Sequence, residues 1–140
     1  MSVRFDDLEV GRDLPSSSRL VTREDVKAYA DASGDQNPLH QDDAAAIAAG
    51  FPTIVAHGMF TMGHLTSTVL AWAGIDADLL EMRAPFRAPV FVGETIVAGG
   101  TVTAVDDDAR TATIGLWVRV ERDGTTEWPI RKSEAVVRFA

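Results

Sequence analysis

The chain contains no cysteine, which removes disulfide staples, a thiol nucleophile and thiolate metal sites from consideration. A cysteine-free chain also suits a cytoplasmic location. Basic residues are scarce: Lys and Arg number 13 against 21 Asp and Glu, giving a net charge of −8. A surface of that sign repels phosphate backbones, so nucleic acid is not an expected partner. A phosphorylated ligand has to be met by a local group of cations. The opening residues carry Arg4, Asp6 and Asp7 without an apolar stretch, and no secretory signal is expected there. Internal repeats and low-complexity tracts are also missing, so residues 1–140 are expected to form one domain. Charge is absent altogether from Ala44 to Ile75. A membrane span needs about 20 apolar residues. Gly50, Pro52, His57, Gly58, Gly63 and His64 interrupt this stretch, which therefore reads as a buried helix with a loop before it.

What is present divides into two halves. The first is rich in Ala and reads helical. Thr22 is an N-cap candidate with Asp25 three residues on, Val26, Tyr29, Ala30 and Ser33 follow at helical spacing, and Gly34 stops the run. Asp42 to Ala49 offers a short second helix, ended by Gly50. A third runs from Met59 to Ala73. Met59, Met62, Leu65, Val69, Leu70, Trp72 and Ala73 leave it little polar face, so it is expected to be buried on most sides. The second half is rich in Val and Thr and reads β. Strands are expected over Thr95–Val105, Thr111–Glu121 and through Ala135, Val137 and Phe139, with turns at Asp106-Asp107-Asp108 and Asp123-Gly124. Val3–Val10 is expected to be a short strand or extended arm. Arg83–Phe91 is expected to be an extended segment broken by Pro85 and Pro89. The pattern gives an α+β fold, with a helix on an antiparallel sheet.

Two segments carry chemistry. Ser33-Gly34-Asp35-Gln36-Asn37-Pro38-Leu39-His40 is a loop between helices, stiffened by Pro38. It can present Asp35 and His40 to one water, where a carboxylate and an imidazole together activate it. A plain capping loop has the same residue types. Phe51 to Met59 leads into the third helix and places Gly58 at its start. There an unpaired N–H and the helix dipole suit an oxyanion, and the missing side chain allows close approach. His57 is expected to be a hydrogen-bonded structural histidine. His64 is expected to be a packed one.

Together Ser33-Gly34-Asp35, Asn37-Pro38, His40, Asp42, Gly50-Phe51, Ile54, Ala56-His57-Gly58-Met59 and Arg87 to Thr95 resemble the MaoC-like, R-specific enoyl-CoA hydratase family. Length and opening are similar to the hydroxyacyl-acyl carrier protein dehydratase subunits of mycobacteria. The resemblance implies a single hot-dog fold, an antiparallel sheet wrapped around a long central helix. It implies reversible hydration of trans-2-enoyl thioesters to (R)-3-hydroxyacyl thioesters in fatty-acid metabolism. Asp35 and His40 become the catalytic pair, Gly58 the donor to the thioester carbonyl, and Asn37 a shaper of the loop with a place in substrate binding. Thr66 falls where some members carry a Ser facing the site. Met59, Phe60, Met62 and Leu65 are candidate acyl lining. Arg87, with Arg83, Arg131 and Lys132, is a candidate for the phosphates of coenzyme A or an acyl carrier. No metal and no redox cofactor is expected, because the chemistry is acid–base. The expected partners are an acyl-CoA or acyl-carrier-protein thioester and a second hot-dog chain, identical or paralogous. A partner-dependent non-catalytic subunit and a thioesterase are the other readings of this fold.

Overall fold

The computed structural model describes residues 2–140; Met1, with which the opening segment begins, lies outside them. Helix α1 (Arg23–Ser33) starts as the sequence indicates. The Thr22 hydroxyl accepts from the Asp25 N–H at 3.1 Å, Val26 and Ala30 are buried, and Gly34 closes the helix at φ 80° with its N–H on the Ala30 carbonyl. Helix α2 (Asp43–Ala48) is capped by the Asp42 carboxylate, which accepts from the Ala44 N–H at 3.0 Å. Helix α3 (Gly58–Ala73) is the long one. No helix among the described residues is long and apolar enough to cross a membrane.

Five strands form one antiparallel sheet in the order β1-β3-β4-β5-β2: β1 (Ser17–Leu20), β2 (Asp78–Arg83), β3 (Thr95–Asp106), β4 (Thr111–Arg122) and β5 (Thr125–Arg138). The β4–β5 hairpin turns through Asp123 (φ 52°) and Gly124 (φ 77°), the two positive φ angles that match strand twist in a two-residue loop. Ala112, Ile114, Leu116, Val118 and Val120 of β4 point into the core on alternate residues, as their spacing requires. Register shifts in β3 after Val102 and in the β4–β5 ladder after Leu116 and Val118 bend the strands. Such bulges increase local twist and let a sheet curl. The curled sheet holds α3 against β3 and β4, and Leu65, Val69 and Ala73 join Ile96, Ala98, Ile114 and Val118 in the core. This is the α+β hot-dog arrangement expected above.

Two expectations need correction, and two edge strands were not expected. Val3–Val10 contains a single 3₁₀ turn, Phe5–Asp7, and no strand, because Phe5 turns inward to the core and packs on Phe139. The first strand lies later, at Ser17–Leu20, and a second edge strand, β2, precedes the Arg83–Phe91 segment. Helix α3 is not buried on most sides. The sheet reaches one face of it, and Met59 and Leu70 stand 52% and 38% exposed on another.

Three loops meet because backbone bonds join them. Val55 pairs with Phe91, the Ala56 N–H reaches the Val90 carbonyl at 2.8 Å, and the Val92 N–H reaches Ile54. The Val55 N–H donates to the Leu39 carbonyl at 3.0 Å, tying in the 33–42 loop. The Arg87 N–H donates to Pro129 at 2.8 Å, fixing the 84–94 segment on β5.

Candidate active site

The Asp35 loop is built from its own turn chemistry. The Asp35 carboxylate accepts from the Asn37 N–H at 3.3 Å, and the Asn37 side chain accepts from the Leu39 N–H at 3.1 Å. Asn37 thereby caps the 3₁₀ turn Pro38–His40, which swings His40 back toward Val55. The Asp35 N–H rests on the Ser33 hydroxyl at 3.2 Å.

His40 Nδ1 lies 2.5 Å from the Val55 carbonyl oxygen. A carbonyl only accepts, so Nδ1 donates, and Nε2 is the ring atom left to exchange a proton. The ring stacks on His57, with centroids 3.7 Å apart and an interplanar angle of 25°. His57 is 3% exposed, and its Nε2 donates to the Asp35 carbonyl at 3.1 Å. Burial holds the His57 pKa below the ordinary imidazole value, and His40 beside it acts in the same direction. The bond to the Asp35 carbonyl and the Asp35 charge oppose that shift.

Asp35, His40 and His57 each offer a ligating atom within 4.8 Å of the others. The two rings are stacked, so their lone pairs lie in nearly parallel planes and do not converge as a tetrahedral centre demands. Proton transfer suits the arrangement better.

Gly58 is the first residue of α3. A Cβ there would come within 2.9 Å of the Phe86 ring, so only glycine leaves Phe86 in place. His40, Gly58 and Phe86 are shared by two adjoining cavities. One, about 290 Å³, is also lined by Tyr29, Ser33, Asp35, His57 and Met59. The other, about 400 Å³, continues past Thr61, Arg87, Pro89, Val90 and Ile130.

The structure thus brings Asp35, His40, Gly58, Met59 and Arg87 to this pair of cavities. Asn37 lines neither; its Oδ1 accepts within the turn. Thr66 also lines neither, since its hydroxyl bonds the Met62 carbonyl one turn back at 2.8 Å. Of the expected acyl lining only Met59 borders a cavity. Leu65 is fully buried, while Phe60 and Met62 pack on the core. Arg83 is paired with Glu134 at 2.9 Å, Arg131 lies over Trp128, and neither Arg131 nor Lys132 borders a cavity. His64 packs as expected, with Nε2 on the Ser17 carbonyl.

Sequence reasoning missed Phe86 and two fasteners. Asp43 accepts from Thr53 Oγ1 at 2.7 Å and the Ile54 N–H at 3.1 Å, and pairs with Arg23, so it anchors the segment leading into α3. The Thr53 hydrogen bond, then Arg23, hold its carboxyl below the usual range. Glu94 and Arg122 clamp the 84–94 segment. An acid at a helix start and an Arg at a strand end give no signal of such roles.

The MaoC-like domain family matches residues 8–124 of this chain. The (R)-specific enoyl-CoA hydratase of Rhodospirillum rubrum is 28% identical over 134 residues, covering 91% of this chain and 92% of that protein. The enzyme of the same name from Aeromonas caviae is 38% identical over 109 residues, covering 76% and 80%. The R-hydratase PhaJ1 from Pseudomonas aeruginosa superposes with a TM-score of 0.88 over 99% of this chain and 86% of that one; at 22% identity this likeness concerns the fold. The chain belongs to the MaoC-like domain family.

Proposed function

We propose that the protein hydrates trans-2-enoyl thioesters reversibly to (R)-3-hydroxyacyl thioesters, acting as a hydro-lyase. The observation that carries this reading is the contact of His40 Nδ1 with the Val55 carbonyl oxygen. With Nδ1 donating to Val55, Nε2 is the ring atom left to exchange a proton, and His40 shares with Asp35 a cavity whose wall includes the α3 N-terminus. A water held by Asp35 and His40 Nε2 adds its oxygen to the carbon β to the thioester carbonyl. Its proton passes to the Asp35–His40 pair. Negative charge collects on the thioester oxygen, where the Gly58 N–H donates at the helix start. The pair then returns the proton to the α carbon, so that water adds across the double bond with nothing left over. Every step is acid–base and calls for no metal or redox cofactor.

The two relatives, both named (R)-specific, support the product configuration. Coenzyme A or an acyl carrier protein supplies the thiol. Arg87, on the wall of the larger cavity and outside every ion pair among the described residues, is the cation we assign to the carrier's phosphates. A second hot-dog chain, identical or paralogous, is the protein partner we assign, since the edge strand β2 and exposed apolar side chains such as Met59 and Phe86 are otherwise uncovered. The test is hydration of trans-2-enoyl-CoA by the purified chain, with chiral analysis of the product. Formation of the (S) product, or release of free thiol, would reject the reading.

A further inference from the structure

The acid–base step leaves one buried titratable group without a part. His57 lies in the same cluster as the catalytic pair, is 3% exposed, and caps no helix N–H although it stands at the N-cap position of α3. Its Nε2 instead reaches 22 residues back to the Asp35 carbonyl, at 3.1 Å. Its ring lies face to face with His40 at 3.7 Å and meets Tyr29 at 4.8 Å. The carbonyl of Asp35 only accepts, so Nε2 must carry the proton. Nδ1 is then a lone pair, buried and without a partner among the described residues.

An orphaned buried acceptor destabilises a fold by roughly 1–3 kcal/mol. A valine or phenylalanine of similar bulk would avoid that penalty if packing alone were needed. What the imidazole supplies, and they do not, is a donor and a flat face in one side chain. The donor holds the backbone of Asp35; the face holds the ring of His40. These are the two members of the pair; the loop's other long-range bonds, at Leu39 and His40, both run to Val55, and those of Asp35 itself are local turns. We propose that neutral His57, as its Nε2–H tautomer, is the positioning residue that registers Asp35 and His40 against each other. It touches neither water nor substrate in the step above. The inference rests on the hydratase reading for its kinetic consequence, and on geometry alone for its tautomer.

Two variants separate the two functions of the ring. His57→Phe keeps the face and loses the donor. His57→Gln keeps an N–H at a similar reach and loses the face. In the folded protein, His57→Phe should lower kcat about tenfold or more while KM stays within about threefold, because misplacement by a fraction of an ångström acts on the transition state. His57→Gln should recover a measurable part of that loss. Independently of turnover, nitrogen-15 shifts of the imidazoles should report Nε2–H for His57 and Nδ1–H for His40. Amide exchange at Asn37 and Leu39 should quicken in His57→Phe and not in His57→Gln. A protonated or Nδ1–H His57 would overturn the proposal. So would unchanged kcat in His57→Phe, or a loss in both variants that only tracks the folded fraction. If the wild-type chain hydrates no enoyl thioester, the hydratase reading fails, while the tautomer and exchange data still decide the role of His57.

Discussion

Replacing Arg122 by Met should loosen the wall of the larger cavity from a distance. Arg122 Nε and Nη2 each donate to Glu94 at 2.7 Å, one to each carboxylate oxygen, and Nη2 also donates to the Pro89 carbonyl at 2.9 Å. Glu94 Oε1 accepts from the Phe91 N–H at 2.8 Å, and the guanidinium lies 4.6 Å from the centroid of the Phe91 ring. The two side chains are 24% and 15% exposed. Breaking a fully buried pair costs about 3–5 kcal/mol. Partial exposure screens the charge left behind, so about 2–3 kcal/mol is the reasonable figure here. A chain of 140 residues unfolds with an entropy of roughly 0.3 kcal/mol/K, which converts that loss into a Tm lower by about 7–10 °C. Thermal unfolding followed by circular dichroism measures it. Glu94→Gln with Arg122→Met should lose less than the sum of the single variants, by about 1–2 kcal/mol, since the second change removes the charge stranded by the first. A loss under about 0.5 kcal/mol for Arg122→Met, or strict additivity, would refute the clamp.

Gly58→Val should reduce turnover by about 10²-fold while the protein stays folded, because its side chain displaces Phe86 and crowds the helix N-terminus; near-wild-type kcat would remove Gly58 from the mechanism. Phe86→Ala should join the two cavities and lower KM for longer acyl chains relative to short ones. A chain-length profile identical to wild type would show that Phe86 is not their divider. Stability should depend on pH through His57. Its folded pKa lies below the 6.5 of an ordinary imidazole because it is buried, so the unfolded chain binds the extra proton first. His57 therefore stabilises the fold fully above about pH 6.5, and that contribution is lost as pH falls through the window below it. Tm measured from about pH 7.5 down to pH 5 should fall more steeply in wild type than in His57→Phe; parallel curves would contradict the burial argument.

The elements legible in the sequence are those whose signal is local. The two ends of α1 are written in Thr22 and Gly34, the β4–β5 hairpin in Asp123-Gly124, and β4 in strict alternation from Ala112 to Val120. The edge strands β1 and β2 were not legible. Ser17–Leu20 has no buried residue and Asp78–Arg83 none either, so each is a strand only because β3 or β5 offers it a ladder. The exposed side of α3 was misread for a related reason. Apolar content reports what a helix can bury, not which neighbour covers it, and one protomer covers one face. At the site, loop stiffness and helix-start chemistry made Asp35, His40 and Gly58 candidates, and the family resemblance gave them their roles. His57, Phe86, Asp43 and the Glu94–Arg122 clamp act across 10 to 33 residues of chain or between separate segments, and such contacts leave no periodic trace. Asn37 and Thr66 show how side-chain atoms suited to a substrate are engaged locally. Asn37 Oδ1 accepts from the Leu39 N–H, the loop-shaping place expected of it, and the Thr66 hydroxyl donates to the Met62 carbonyl.

The most direct test is to mix the purified chain with short and long trans-2-enoyl-CoA and follow loss of the conjugated-thioester absorbance, with Asp35→Asn and His40→Ala alongside. Turnover by the wild-type chain is expected, falling by about 10²–10⁴-fold in each variant and little further in the double variant, since the two groups act as a unit. Full activity in both variants, or thiol release in place of hydration, would contradict an Asp35–His40 hydratase.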